Sequence, residues 1–255
     1  MKHPSTAPSS KVPEVTIGFW LIKIAATTLG ETGGDAVSMT MHLGYLLSSI
    51  AFFGCFLVAA AVQIRTRSFH PLLYWAVVVG TTTTGTTMAD FADRSLGIGY
   101  VGGSLLLCSL LAIVLAAWRF SIGSISVDHI VSPKVESFYW LTILVSNTLG
   151  TALGDFLADD SGLGFEGGAL VFGAILAVIA AGYYLTNLSR VLLFWAAFIL
   201  TRPLGATLGD LLTKPLPSGG FALSRIDSSA VLALAIIIGI MLIPQRAGRR
   251  PETSS

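Results

Sequence analysis

The chain is short of charge and almost free of cysteine. Only 11% of its 255 residues are Asp, Glu, Lys or Arg, less than half of the roughly 25% usual in water-soluble domains. That shortage excludes a soluble globular protein. Cys55 and Cys108 have no CxxC or zinc-ligand spacing around them, which excludes a disulfide framework and a thiolate metal centre. Both lie in apolar stretches and are expected as buried thiols. No HExxH, no phosphate loop and no nucleophile with a neighbouring base is present, so neither an enzyme nor a resident cofactor is expected. The net charge is +1 without a basic run, so no nucleic-acid footprint exists. The first 13 residues lack the apolar core and cleavage site of a signal peptide.

What the chain does have is apolar length. Hydrophobic residues make up 53% and the mean hydropathy is +0.78. Runs close to the ~20 residues that cross a bilayer as helix fall at roughly 16–34, 43–64, 72–91, 99–120, 137–157, 164–186, 191–212 and 228–244. An all-α integral membrane protein with eight transmembrane helices is predicted. Its parts are a flexible tail (1–13), a first half of four spans (14–120), a linker (121–136), a second half of four spans (137–244) and a basic tail (245–255). Positive loops stay cytoplasmic. The tails and even-numbered connections hold Lys2, Lys11, Arg65, Arg67, Arg119, Lys134, Arg190, Arg246, Arg249 and Arg250, whereas the odd-numbered connections hold only Arg94, Lys214 and Arg225. Both termini are therefore expected in the cytoplasm, with the chain multi-pass in a bacterial inner membrane.

The spans repeat. Trp20 and Asp35, Trp75 and Asp90, Trp140 and Asp155, Trp195 and Asp210 are each 15 residues apart, and Gly30, Gly85, Gly150 and Gly205 each stand five residues before the aspartate. Gly30 with Gly34, Gly150 with Gly154, and Gly205 with Gly209 are GxxxG pairs, the spacing that lets transmembrane helices approach closely. They are candidates for packing or for gating. The tryptophans are expected as interface anchors at the cytoplasmic face, where aromatic belts sit. Fifteen residues then carry each aspartate roughly 22 Å along the helix, toward the outer side. Each unit is an outward span plus a return span, so the four copies share one orientation and are expected to be pseudo-symmetric about an axis along the membrane normal. The return spans open with Gly44, Gly99, Gly164 and Gly220, expected to let them approach their partners. Glu166, after Gly164, is expected at the outer mouth.

This pattern of Trp, GxxxGD and paired spans resembles a family of bacterial membrane proteins built from four tandem copies of a repeat of unknown function, each with two spans and a characteristic tryptophan. The resemblance runs from about Phe19 to Pro244. It implies the eight-span architecture and no activity.

Function has to come from the residues. Seven and eleven positions after the Trp stand Thr27, Thr82 and Asn147, and Glu31, Thr86 and Thr151; with the aspartates they form one polar face per helix. Intramembrane acids cost about 2.5–3.5 kcal/mol each on insertion scales and mark ion or proton paths. Only Lys23 and Arg202 offer counter-charge inside the spans, so a net acidic interior is expected. Carboxylates, hydroxyls and an amide suit hard cations such as Mn, Mg or Ca. The expected function is transport or export of a small cation, a hard divalent metal such as manganese, coupled to protons through Asp35, Asp90, Asp155 and Asp210. Glu31 and Asp35 are the first metal-ligand candidates, because copy one is richest in acid and its ETGGD is similar to acidic-Gly-Asp signatures of some cation exporters. His42 is either a further ligand or an interfacial polar group, and His3, His70 and His129 are solvated. Arg202-Pro203 in copy four brings a fixed charge and an expected kink; Arg202 either neutralises a neighbouring acid or acts as an internal counter-ion. The alternative is a non-transporting scaffold or sensor whose Gly/Thr/Asp face only packs. Expected partners are membrane lipid and the cation, with a homo-oligomer also compatible. The orientation is testable: a C-terminal green fluorescent protein fusion should fluoresce and an alkaline phosphatase fusion at the same point should be inactive, the reverse result placing the C-terminus outside.

Overall fold

A computed structural model describes residues 10–127, 130 and 132–248. Residues 1–9 of the expected tail, 128, 129 and 131 of the expected linker (His129 among them) and 249–255 of the basic tail lie outside the described residues. The described chain is all-helical: α1 Ile17–Asp35, α2 Tyr45–Arg65, α3 Pro71–Asp90, α4 Gly99–Ile122, α5 Pro133–Asp155, α6 Gly164–Leu185, α7 Arg190–Thr213 and α8 Arg225–Leu242. Local chemistry sets the starts. The side chains of Thr16, Ser132, Ser189 and Ser224 accept from backbone N–H groups of the first turns of α1, α5, α7 and α8, and Pro71 and Pro133 occupy first turns of α3 and α5, where a missing N–H costs nothing. Pro203 does not break α7, which runs unbroken across it. After the aspartates of the first three copies the backbone loosens into five-residue π-helical turns, Ala36–Thr40, Phe91–Ser95 and Phe156–Asp160.

Six helices, α2, α4, α5, α6, α7 and α8, are long and apolar enough to cross a membrane. The remaining two, α1 and α3, are diluted by Lys23, Glu31 and Asp35 in one and by six threonines in the other. Their position explains how they tolerate this. α1 packs on α3, α3 on α5, α5 on α7 and α7 back on α1, closing an inner ring, and each return helix covers the next copy's inner helix: α2 on α3, α4 on α5, α6 on α7 and α8 on α1. Of the most apolar stretch of each helix, only 6–28% is buried in the four outer helices, against 78% in α5 and 61% in α7. Cys55 and Cys108 sit on this outer layer and are exposed there, not buried as expected. The halves expected on either side of the linker interlock through α4 on α5 and α8 on α1.

The tryptophans are corrected too. Trp75, Trp140 and Trp195 are buried within protein, and Trp20 is half-buried, because each inner helix end is sheathed by its neighbours. The residue before each Trp meets the Trp of the next inner helix: Phe19 with Trp75, Tyr74 with Trp140, Tyr139 with Trp195 and Phe194 with Trp20, ring centroids 5.4–6.4 Å apart. Eight rings form a closed pinwheel, each pair adding to its area burial about 0.5–1.5 kcal/mol. The Trp75 indole donates to Gln245 and the Trp195 indole to the Ile125 carbonyl, so the segments after α8 and α4 cap this end. The tail joins them from Ser10 onward: Ser10, Lys11 and Val12 are buried, and Lys11 pairs with Glu136 and donates to the carbonyls of Gln63, Ile64 and Thr66.

Glycines set the ring's diameter. A methyl group added at Gly30, Gly85, Gly150 or Gly205 would lie 2.9 Å or less from Thr82, Thr148, Pro203 or Thr27 of the adjoining helix. The same contact recurs at all four interfaces. Gly44, Gly99 and Gly164, by contrast, have φ of +75°, +75° and +68° and open space around them, so they serve the turn into the return helix and not close approach. His42, at φ +57°, holds the turn position that Gly97 and Gly162 hold in copies two and three. Gly205→Ala should therefore cost about 1–3 kcal/mol by overpacking and lower the detergent-solubilised Tm by several degrees, while Gly54→Ala on α2, which meets nothing within 4 Å, should leave it unchanged.

Candidate functional site

Positions spaced by four residues along the inner helices stack as layers about 6 Å apart. From the tryptophan end they are Phe19, Tyr74, Tyr139 and Phe194; Lys23, Val78, Ile143 and Phe198; Thr27, Thr82, Asn147 and Arg202; Glu31, Thr86, Thr151 and Ala206; and Asp35, Asp90, Asp155 and Asp210. All twenty side chains are buried. The interior is therefore a packed axis that grows more polar toward the aspartates.

Arg202 ties this axis together. Its guanidinium, fully buried, donates from Nη2 to Glu31 Oε2 at 2.8 Å, to Thr151 Oγ1 at 2.6 Å and to Thr86 Oγ1, and from Nη1 to the Thr27 carbonyl at 3.4 Å. One side chain of α7 thus binds α1, α3 and α5. Of the two roles expected for it, neutralising a neighbouring acid is the one its contacts support. Thr27 and Thr82 donate to the carbonyls of Thr201 and Ala26, at 3.1 and 3.2 Å, and Asn147 Nδ2 donates to Thr81 Oγ1 at 2.9 Å. The Asn147 carbonyl oxygen accepts from Lys23 Nζ at 3.4 Å. These three residues, expected to bind a cation, join neighbouring helices through their hydrogen bonds. Thr86 and Thr151 are likewise engaged by Arg202.

The aspartate layer divides in two. Lys214 Nζ lies 3.1 Å from Asp210 and 3.4 Å from Asp35, and Arg225 Nε lies 3.4 Å from Asp35. Across the ring Arg94 lies 2.9 Å from Asp90 and 3.4 Å from Asp155. Burial by itself would lower the Lys214 ammonium, but the carboxylates of Asp210 and Asp35 hold it above the usual lysine range. The acids of the spans have basic partners: Asp90 and Asp155 face Arg94, Asp210 faces Lys214, Asp35 faces Lys214 and Arg225, and Glu31 faces Arg202. Among the described residues one group has metal-ligand geometry. Carboxylate oxygens of Glu31, Asp35 and Asp210 all lie within 4.8 Å of one another, all three residues buried.

The comparisons with known proteins bear on the same four units. The model of a family described as a repeat of unknown function (DUF347) matches residues 18–69, 73–123, 138–189 and 193–246. The chain belongs to this family. No curated protein and no solved structure matches it. Each match to the repeat family begins just before a tryptophan and carries one layered inner helix and one return helix. Within the repeats, Arg94, Lys214 and Arg225 are the site residues that sequence reasoning missed. A signal was present: Arg94 and Lys214 each stand four residues after the aspartate of their own copy, one helical turn on, in copies two and four alone. His42 is exposed, away from the carboxylate group, and Glu166 is exposed at the start of α6.

Glu31 and Arg202 form a buried pair whose value shows when one partner is removed. Arg202→Met should destabilise the protein by about 3–5 kcal/mol because a carboxylate is left buried without its cation. The double variant Arg202→Met with Glu31→Gln should recover most of that in a detergent unfolding titration; a double variant no more stable than the single one would show that the lost hydrogen bonds to Thr86 and Thr151, not the charge, dominate.

Proposed function

We propose that the protein transports a small cation, a hard divalent metal such as manganese, across a bacterial inner membrane. The reading takes α1 and α3 as spans enclosed by the six apolar helices, giving eight spans around a pseudo-fourfold axis along the membrane normal, with both termini cytoplasmic and the aspartate end outward. The observation that carries it is the buried group of Glu31, Asp35 and Asp210, three carboxylates with oxygens within 4.8 Å of one another. Oxygen ligands of this kind suit Mn, Mg and Ca, and carboxylates converging in the low dielectric of a helix bundle are costly unless they serve a cation or a proton. Lys214 and Arg225 supply the positive charge beside Asp35 and Asp210. An arriving cation displaces them from Asp35 and Asp210, and they return when it leaves, which makes them the internal counter-ions of the cycle. The ligands are these three carboxylates alone. Asn147 and the threonines shape the ring behind them.

A second reading is favoured by the same ion pairs. Every repeat aspartate has a basic partner, and every inner interface is closed on glycine, as a scaffold or sensor without cargo would require. Flux separates the two. In proteoliposomes the wild type should carry Mn2+, and Glu31→Gln, Asp35→Asn or Asp210→Asn should reduce flux at least tenfold while the protein remains extractable and monodisperse. Asp90→Asn and Asp155→Asn, which disturb the pair around Arg94, should also impair it. Unchanged flux in all these variants would sink the transport reading; absence of Mn2+ flux in the wild type, with stability lost in the Asn variants, would establish the scaffold.

A further inference from the structure

Lys23 is the charged group for which the ring supplies no counter-charge. It is fully buried, and its Nζ has two neighbours, the Asn147 carbonyl oxygen at 3.4 Å and the face of Phe198 at 4.1 Å to the ring centroid. No carboxylate lies within ion-pair distance of it among the described residues. The rest of its layer, Val78, Ile143 and Phe198, is apolar and buried. The nearest full charge along the axis is another cation, Arg202, one layer on. An ammonium so placed has lost its water without gaining an anion, at a cost of several kcal/mol. Every other buried base of the axis is paired, so Lys23 is the group whose charge the ring does not hold fixed.

The ionisable groups that face it can be named helix by helix. Arg202 faces it from α7, and one layer toward the tryptophan end stand Tyr74 of α3 and Tyr139 of α5, their hydroxyls hydrogen-bonded to each other at 2.7 Å. On α1 itself Glu31 stands two turns further and is committed to Arg202. The ionisable groups of α8, the other helix packed on α1, are Arg225 and Asp227 in its first turn, with Arg225 at the aspartates. Nothing in this set gives Lys23 a permanent anion, and a hydroxyl pair lies on the side away from the carboxylates.

We propose that Lys23 is the proton-exchanging group of the cation cycle, an assignment that rests on the transport reading above. With Lys23 neutral, the interior carries one positive charge fewer than with Lys23 protonated, and a cation at Glu31, Asp35 and Asp210 is then favoured. The exchange is simple to balance: the ammonium gives up one proton to solvent and becomes a neutral amine as positive charge arrives at the carboxylates. Lys23 Nζ sits beside the Asn147 layer, one to two layers, or about 6–12 Å, from those carboxylates. At an effective dielectric near 20, a unit charge at the far end of that range changes the affinity for a divalent cation roughly a hundredfold.

The test is proton release on Mn2+ binding by the purified full-length protein in weakly buffered detergent, followed beside Mn2+ affinity as a function of pH. Wild type should release a proton as Mn2+ binds. Lys23→Met should bind Mn2+ about a hundredfold more tightly at the acid end of the range, with about one proton fewer released per ion and a flattened pH dependence. Lys23→Arg, which fixes the charge and guards against a folding failure of the methionine variant, should bind about a hundredfold more weakly at the alkaline end and also lose that proton. Proton release unchanged in both folded variants overturns the assignment while leaving the transport reading intact. A wild type that binds no Mn2+ overturns both.

Discussion

One guanidinium holds four helices in register. Arg202 reaches from α7 to a carboxylate on α1, hydroxyls on α3 and α5, and a carbonyl of α1, so the spacing of the inner ring is dictated by the reach of its side chain. A fork of fixed N–H directions does this better than an ammonium would, because each acceptor must come to its place. The glycine contacts are the other half of the constraint. They bring the backbones close enough for the acceptors to converge, and Gly150 packs directly against Arg202 and Pro203. What sequence reading treats as a departure of copy four from the repeat is the element that the other copies are built around.

Fourfold repetition of the backbone therefore carries a charge pattern with lower symmetry. Layer by layer the four positions are alike in burial and unlike in chemistry: Lys23 against Val78, Ile143 and Phe198; Glu31 against Thr86, Thr151 and Ala206. At the aspartate end the pattern becomes twofold, Lys214 bridging copies one and four and Arg94 bridging copies two and three. The two bridges differ in what surrounds them. Beside Lys214 stand Glu31 and Arg225; beside Arg94 stand the buried Asp93 and, at 4.0 Å, the more exposed Asp159. The copies thus share one backbone plan and differ in the charges set around it.

The helices, the repeat and its register were legible in the sequence because each rests on local properties: apolar length, fixed spacing, and glycine at a constant offset. The neighbour order was not. Nothing in α2 says that it covers α3 and not α1, since the outer helices are apolar on most of their surface and the choice is made by how the inner ring closes. The tryptophans were misread for a related reason. The rule for aromatic belts presumes a helix facing lipid, and these helices face lipid little. The balance of charge at the aspartates was missed because Arg94, Lys214 and Arg225 counted only as loop charges that set orientation, although the four-residue step from Asp90 and Asp210 already put two of them one turn above a carboxylate.

The closing of the ring also has a history in time. Glu31 and Arg202 are 171 residues apart, and at 5–20 residues per second of synthesis the acid precedes its partner by roughly 10–30 s. Through that interval the nascent α1, with Lys23, Glu31 and Asp35, has neither Arg202 nor Lys214 to pair with and no α8 to cover it. The helices of the fourth copy, α7 and α8, are thus the ones that complete the surroundings of the first copy's inner helix.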